Sequence, residues 1–217
     1  MDRIKAKKII EVLGNNFPDT PALKFSTPYQ LLVAVILSAQ CTDERVNKVT
    51  EKLFESFGTP EKMIELKQEE LEKYIFSCGL YREKAKHILS ATHDIIEKFS
   101  GNVPNSLNDL QSLSGIGRKT ANVVYSVAFG GNVIAVDTHV FRVSKRIGLA
   151  NGKTVIKVEE DLTKILETNI LRYAHHYLIY LGRSYCKAQK VNCSECPIEG
   201  LCEKHLGKAS KKEKNRS

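Results

Sequence analysis

Residues 113–121 read Leu-Ser-Gly-Ile-Gly-Arg-Lys-Thr-Ala and lie between two segments of helical periodicity. Gly115 and Gly117 flank a single apolar residue, so we expect a tight reversal that is anchored in the core by Ile116. The N–H groups at the start of the following helix would be left without partners and would carry a partial positive charge, which suits a phosphate. The stretch therefore predicts a hairpin of two helices that contacts a phosphate backbone, with Arg118 beside it, and that does not read bases.

Lys119 falls in the first turn of the second helix, where the helix dipole disfavours a cation. A lysine in water has a pKa of about 10.4, so only about 0.04% of it is neutral at pH 7. We expect burial, the neighbouring Arg118 and the helix terminus to lower the pKa of Lys119, which would free an amine that attacks carbon. From its position alone, a lysine that only contacts phosphate is an equally good interpretation.

Asp137 follows 18 residues after Lys119 and is predicted to be the N-cap of a helix that runs to about Gly148. Helix N–H groups would keep its carboxylate ionised, the state required to deprotonate a nucleophile or to face a positively charged sugar. Simple capping explains Asp137 equally well, and only its pairing with Lys119 favours catalysis. His139, in the first turn, is interpreted as a structural or phosphate contact.

Four of the six cysteines form the pattern C-x6-C-x2-C-x5-C within 17 residues. They are Cys186, Cys193, Cys196 and Cys202. Four thiolates this close, in a chain without an apparent secretion signal, favour a metal site over disulfides. Structural zinc usually takes two close pairs, whereas only one C-x-x-C occurs here, so the spacing favours a [4Fe-4S] cluster and leaves zinc as the alternative.

The remaining cysteines, Cys41 and Cys78, stand alone among apolar neighbours and are interpreted as small buried hydrophobes. The loop between the first two clustered cysteines carries Lys187 and Lys190. This basic loop either presses on a phosphate backbone or is an ordinary solvated loop. Composition does not decide between the two.

Helix signals recur along the chain and strand signals hardly appear, so the predicted fold class is all-α. Thr27 and Pro28, with Gln30 as a capping-box residue, open an apolar helix that runs through Ala39. A second threonine–proline pair at 59–60 opens another helix in the same way. Apolar residues at helical spacing follow this pair, namely Ile64, Leu71 and Ile75.

Length and composition are those of an ordinary globular protein: 217 residues, 42% hydrophobic and 27% charged. The longest apolar run, residues 31–37, is far shorter than the roughly 20 residues of a spanning helix, and we expect no membrane association, no secretion and a cytoplasmic location.

The net charge of +8 arises entirely after residue 108. A one-sided basic surface is typical of a partner for nucleic acid. The basic stretch 208–216 is interpreted as a loose, solubilising tail.

Three motifs together resemble the helix-hairpin-helix DNA glycosylases, and among them the endonuclease III group. They are the hairpin, the glycine-rich segment that precedes Asp137 and the four-cysteine loop. They occur in the same order along the chain as in the family and at similar separations. The segments 31–43 (LLVAVILSAQCTD) and 78–85 (CGLYREKA) extend the resemblance to nearly the whole chain.

The resemblance implies two all-α domains with a DNA cleft between them. A six-helix barrel that bears the hairpin would span residues 21–130, and residues 1–20 plus 131–217 would form the iron-sulfur cluster domain. It also implies a monomer that acts in base excision repair, associated with the nucleoid. Its partner would be double-stranded DNA that contains damaged pyrimidines or abasic sites.

The resemblance further implies a bifunctional DNA glycosylase and abasic-site lyase, in which Lys119 attacks C1′, expels an oxidised pyrimidine and forms a Schiff base. β-Elimination then cuts the strand 3′ to the lesion, with Asp137 assisting. Gln40 and Leu80 match positions that fill the stack vacated by the flipped base, although ordinary helix-end packing also explains them. Alternatives are a glycosylase for pyrimidine dimers or mismatched bases, and a non-catalytic DNA-binding module.

The sequence departs from the family pattern at two positions. Ser114 replaces a proline that is common in the hairpin, and Cys41 stands where alanine is frequent. Neither change removes a reactive group. Relatives specific for adenine mismatches lack a lysine at the position of Lys119, so its presence favours the bifunctional enzyme over a monofunctional one.

Overall fold

The computed structural model describes residues 1–204, and within them the secondary structure is helical. No β-strand occurs in this part of the chain, where extended pairing is limited to an isolated antiparallel bridge between Cys186 and Val191. The all-α prediction is therefore confirmed. The basic stretch 208–216, interpreted above as a loose tail, lies outside the described residues. Across residues 1–204, none of the helices combines the length and the apolar content needed to cross a bilayer.

The chain divides into two compact units, one of residues 21–131 and one that joins residues 1–20 to the segment from Asn132 onward. Seven helices make up the 21–131 unit. They are α2 (Pro28–Ser38), α3 (Asp43–Phe57), α4 (Pro60–Met63), α5 (Gln68–Ile75), α6 (Tyr81–Phe99), α7 (Leu107–Ser112) and α8 (Arg118–Ala128). The other unit contains α1 (Arg3–Asn16), α9 (Thr138–Ile147), α10 (Val155–Ile165) and α11 (Leu171–Ser184), with short 3-10 turns at Thr168–Ile170 and Glu199–Leu201.

Helix α2 forms the centre of the 21–131 unit, because every side chain from residue 31 to residue 37 is buried. It packs against α3, α6 and α8. Thr27 caps it by accepting the N–H of Gln30, as predicted, and Pro28 occupies the first turn. The predicted capping box does not form, since the Gln30 amide oxygen accepts the N–H of Ser26 at 2.8 Å rather than that of Thr27.

The helix predicted from the threonine–proline pair at 59–60 is two helices, α4 and α5. Met63 is fully buried, whereas Ile64 follows the last residue of α4 and is 38% exposed. The chain then turns before α5, which buries Leu71 and Ile75. The apolar spacing of the sequence continued across this break and therefore concealed it.

The second unit is built around α11, which packs against α1 and α9. Its core is formed by aliphatic side chains of these three helices together with α10. The fully buried members include Ile9, Leu13, Val140, Val143, Leu178 and Leu181. This packing fixes the start of α9, which carries Asp137, and the end of α11, which leads into the four-cysteine loop.

Candidate functional site

The hairpin forms as predicted, with α7 and α8 joined by residues 113–117. Gly115 adopts φ +78°, and a Cβ there would lie 2.7 Å from the His87 side chain, so glycine is required by both backbone and space. Ile116 is 6% exposed and anchors the turn. Gly117 is the N-cap of α8, has an ordinary negative φ, and would place a Cβ in open space. Neither its backbone nor its neighbours in the protein require glycine at 117.

Ser114 fastens the hairpin to α6. Its N–H donates to a carboxylate oxygen of Asp94 at 2.7 Å, and the other oxygen receives the Lys98 ammonium at 2.6 Å. Burial alone raises the pKa of Asp94, but the bonds from Lys98 and Ser114 outweigh burial and hold it at about 2. The proline that is common at position 114 has no N–H to donate. This chain therefore holds its hairpin by a bond that such a proline excludes.

We expect the Asp94 carboxylate to make folding stability acid-sensitive. The pKa of this carboxylate falls from the ordinary 3.8 to about 2 on folding. Its contribution to the free energy of unfolding is therefore complete above pH 4 and is lost as the pH falls through 2. The shift corresponds to about 2 kcal/mol. Urea unfolding at pH 5 and at pH 2 should show this loss in the wild type and not in Asp94→Asn. Glu69→Gln, which replaces an exposed carboxylate, should behave as the wild type; an equal loss in Asp94→Asn would refute the assignment.

Lys119 is the second residue of α8 and its side chain is exposed, as is that of Arg118. The prediction that burial surrounds Lys119 is therefore wrong. The reason is the phase of the helix, which buries Ala121, Asn122 and Val124 and turns its first two residues away from that face. The amine is thus open to a large reactant at the helix start, next to the glycine N-cap.

Asp137 is the N-cap of α9, and its carboxylate accepts the N–H of Val140 at 2.7 Å. The Nδ1 atom of His139 lies 3.3 Å from the other carboxylate oxygen. The Asp137 side chain is 17% exposed, and the His139 side chain is 30% exposed. His139 also packs against α11, since a Cβ at Gly182 would lie 3.1 Å from the imidazole. Asp137 belongs to the unit that starts at Asn132, whereas Lys119 belongs to the 21–131 unit.

Gln40 and Leu80 lie in two adjoining turns of the 21–131 unit. Both adopt the left-handed backbone region, with φ of 52° and 59°, which is uncommon for residues other than glycine. Both side chains are exposed, and Leu80 is 59% exposed although it is apolar. A Cβ at Gly79 would lie 3.8 Å from the Gln40 carbonyl oxygen, so the turns are in contact through their backbones. Ordinary helix-end packing does not account for an exposed leucine in a strained conformation.

The four clustered cysteines line one cavity in the second unit, and none is in a disulfide. The space not filled by protein atoms is about 340 Å³, including its opening to solvent. Apolar side chains complete the lining, among them Ile147, Leu181 and Ile198. Burial raises the pKa of the Cys196 thiol. Within residues 1–204, no three His, Cys, Asp or Glu side chains converge closely enough to hold a single metal ion.

Two arginines of α9, which sequence reasoning missed, fix the start of this loop. Arg146 donates to the carbonyl oxygens of Lys187 at 2.6 Å and Ala188 at 2.9 Å and approaches the Cys186 sulfur at 3.6 Å. Arg142 donates to the Cys186 carbonyl at 3.2 Å. Their spacing of four residues puts both on one face of α9. This spacing is visible in the sequence, but the sequence does not show that the two arginines bind the backbone of the cysteine loop.

Lys187 and Lys190 extend from this fastened loop, and both side chains are exposed. The backbone carbonyl of Lys187 is occupied by Arg146, so the loop is held while its ammonium groups remain available. The structure thus places the two lysines on a rigid support next to the cysteine cavity.

Comparison with known proteins finds a family and several relatives. The HhH-GPD superfamily of base excision DNA repair proteins matches residues 33–168. Endonuclease III of Rickettsia prowazekii (strain Madrid E) is 48% identical, over 92% of this chain and 94% of that protein. Endonuclease III of Haemophilus influenzae (strain ATCC 51907 / DSM 11121 / KW20 / Rd) is 47% identical, over 94% of this chain and 97% of that protein.

The fold also matches a solved structure, that of a trapped Endonuclease III–DNA covalent intermediate in an estranged-adenine complex. The TM-score is 0.89 with 44% sequence identity, and the match covers 96% of this chain and 99% of the other.

Proposed function

Because the chain belongs to the HhH-GPD superfamily of base excision DNA repair proteins, we propose that Lys119 is the nucleophile of its reaction. The chain is a DNA glycosylase and abasic-site lyase of base excision repair, as its resemblance to the family implied. The observation that carries the assignment of Lys119 is its exposed amine in the first turn of α8, directly after the hairpin. A similar protein has been trapped in a covalent complex with DNA.

The reaction that we propose joins the Lys119 nitrogen to C1′ of the damaged nucleotide. The base leaves with the electron pair of its glycosidic bond, and the sugar opens as the amine becomes a Schiff base. Loss of a proton from C2′ then expels the 3′ phosphate, which cuts the strand by β-elimination. Asp137 would accept the proton of the nucleophile and offset the positive charge that develops on the sugar. Its cap bond to Val140 fixes the orientation of the carboxylate.

The hairpin is proposed to hold the phosphate backbone beside this nucleophile. Gly117 supports this role, since neither φ nor a protein neighbour demands glycine there, whereas a phosphate that approaches the N–H groups of α8 would. Gln40 and Leu80 are proposed to enter the stack when the target base is flipped out. Their exposure and their contacting turns support that proposal. His139 is proposed as a further phosphate contact, from its place at the start of α9.

The substrates that we propose are oxidised pyrimidines and abasic sites in duplex DNA, and the enzyme is proposed to act as a monomer on cytoplasmic, nucleoid DNA. The substrate proposal is tested with a panel of duplexes. Each duplex contains one oxidised pyrimidine, pyrimidine dimer, mismatched base or abasic site, and an undamaged duplex is the control. Release of the oxidised base and a cut 3′ to the site are expected. Activity only on duplexes with dimers or mismatched bases would show that the enzyme is specialised for those lesions. Duplex binding without base release or strand cutting would show that the chain is a non-catalytic DNA-binding module.

Cys186, Cys193, Cys196 and Cys202 are proposed to hold a [4Fe-4S] cluster. The support is that the four cysteines line one space with apolar walls, an arrangement that fits a cluster held by four cysteines. A bound cluster would cross-link the loop through these four cysteines. Four protein ligands would leave no open position for substrate, so we propose a structural role for it. Arg146 and Arg142 hold the loop backbone at the first of these cysteines.

Replacing both Lys187 and Lys190 with alanine is expected to weaken duplex binding and to flatten its salt dependence. Each lost phosphate contact removes one released counterion, so the slope of log K against log salt should fall by about one to two units. Binding titrations between low and moderate salt measure this slope. The matched control, Lys153→Ala with Lys164→Ala, removes two exposed lysines of the same unit and should leave the slope unchanged. An unchanged slope in the Lys187 and Lys190 variant would mean that the loop does not touch phosphate.

A further inference from the structure

A buried histidine of α11 bonds to the backbone just before Asp137. His175 is 4% exposed, and its Nδ1 atom lies 2.8 Å from the carbonyl oxygen of Ala135. Because a carbonyl oxygen can only accept a hydrogen bond, Nδ1 carries a proton and is the donor. The bond joins two parts of the second unit that are 40 residues apart in the chain.

The segment that receives this bond has no regular secondary structure of its own. Residues 132–137 form neither helix nor strand, yet Ile134, Ala135 and Val136 are all buried. Backbone carbonyl groups in such a buried stretch need partners from other segments, because an unpaired one costs free energy. His175 supplies that partner at Ala135.

Asp137 lies between this bond and the first turn of α9. It follows Ala135 by two residues, a span of at most about 7 Å, and its carboxylate accepts the N–H of Val140 at 2.7 Å. Helix α11, which carries His175, also packs against α9, the helix that Asp137 caps. The backbone at Asp137 is therefore held on both sides.

The neighbouring His176 offers a comparison within the same helix. It is also buried, and its ring centroid lies 5.0 Å from that of His175. Burial, followed by the proximity of His175, lowers the pKa of His176 to about 3, so its ring is uncharged at neutral pH. Phenylalanine therefore replaces the His176 ring without removing a charge.

We infer that His175 is a positioning residue, which holds the segment before α9 so that the Asp137 carboxylate takes up the position that its reaction requires. This role rests on the proposed function of Asp137. His175 acts through the backbone of Ala135 rather than on the substrate. Misplacement of a catalytic group by about 1 Å can slow a reaction by on the order of 100-fold, and this bond constrains the chain two residues from the carboxylate.

The test measures base release in a single turnover from a duplex with one oxidised pyrimidine, using the metal-loaded full chain. His175→Phe keeps a ring and removes the donor, and base release is expected to slow by on the order of 10-fold or more. His175→Asn places an amide N–H near the position of Nδ1 and should recover most of the rate. The matched control, His176→Phe, should release the base as the wild type does.

A double-mutant cycle with Asp137→Asn separates positioning from a general loss of structure. If His175 acts through Asp137, His175→Phe should slow the Asp137→Asn variant little further, because the group that it positions is already gone. An equal fold loss in both backgrounds would overturn the inference, since the effect would then not depend on Asp137. A wild-type rate in His175→Phe, or a loss in His175→Asn as large as that in His175→Phe, would overturn it as well.

NMR of the nitrogen-labelled wild type keeps the inference testable if His175→Phe does not fold. The ring nitrogen signals, assigned with His175→Asn, report which nitrogen carries a proton, and a protonated Nδ1 is expected. An unprotonated Nδ1 would overturn the inference, because the bond to Ala135 could not form. Base release at the wild-type rate by Asp137→Asn contradicts the proposed function of Asp137 instead, and the nitrogen spectrum remains valid in that case.

Discussion

Lys119→Ala should abolish the covalent complex that borohydride traps between the enzyme and abasic-site DNA. No other group of this chain is proposed to bond to C1′, so the strand-cutting rate should fall on the order of 10³-fold or more. Duplex binding should persist, because the hairpin glycines and Arg118 remain. The comparison of trapped adduct, cutting rate and binding affinity in one set of proteins therefore separates chemistry from recognition.

The control for this variant is Lys86→Ala, which removes an exposed lysine from α6 of the same unit. It should form adduct and cut DNA as the wild type does. A wild-type protein that binds lesion duplex but forms no adduct would support the DNA-binding module, and an adduct that survives in Lys119→Ala would move the nucleophile to another residue.

Cys196→Ser should prevent binding of the proposed cluster and with it the order of the loop from residue 186 to residue 202. The purified wild type is expected to be brown, with a broad visible absorption band, and the variant to be colourless and low in iron. Loss of a structural metal group typically costs several kcal/mol, so the variant should also unfold at a clearly lower temperature. Iron analysis, absorption and thermal unfolding measure these effects together.

The matched control is Cys41→Ser, which removes a half-buried thiol from the other unit and should retain colour and iron. A colourless wild type that is rich in zinc and fully active would reject the cluster in favour of zinc. Retention of iron by Cys196→Ser would show that this cysteine is not a ligand.

Features decided by local chemistry could be predicted from the sequence. The cap at Thr27, the cap at Asp137 and the turn at Gly115 each follow from the conformational preferences of a few adjacent residues. Four cysteines close in sequence had to lie close in space. The hairpin and the cysteine loop are therefore recognisable from the order of their residues alone.

Features decided by packing between distant segments could not be predicted. The exposure of Lys119 depends on which face of α8 meets the core, and the break between α4 and α5 occurs inside a continuous apolar pattern. The bond from the Ser114 N–H to Asp94 joins the hairpin to α6, a distant part of the chain. Local periodicity contains no information about such contacts.

The location of the sugar on the protein identifies the nucleophile. The enzyme is reacted with abasic-site DNA, the Schiff base is reduced, both components are digested and the modified peptide is sequenced by mass spectrometry. We expect the sugar remnant on the side-chain nitrogen of Lys119. A remnant on any other residue would show that Lys119 is not the nucleophile.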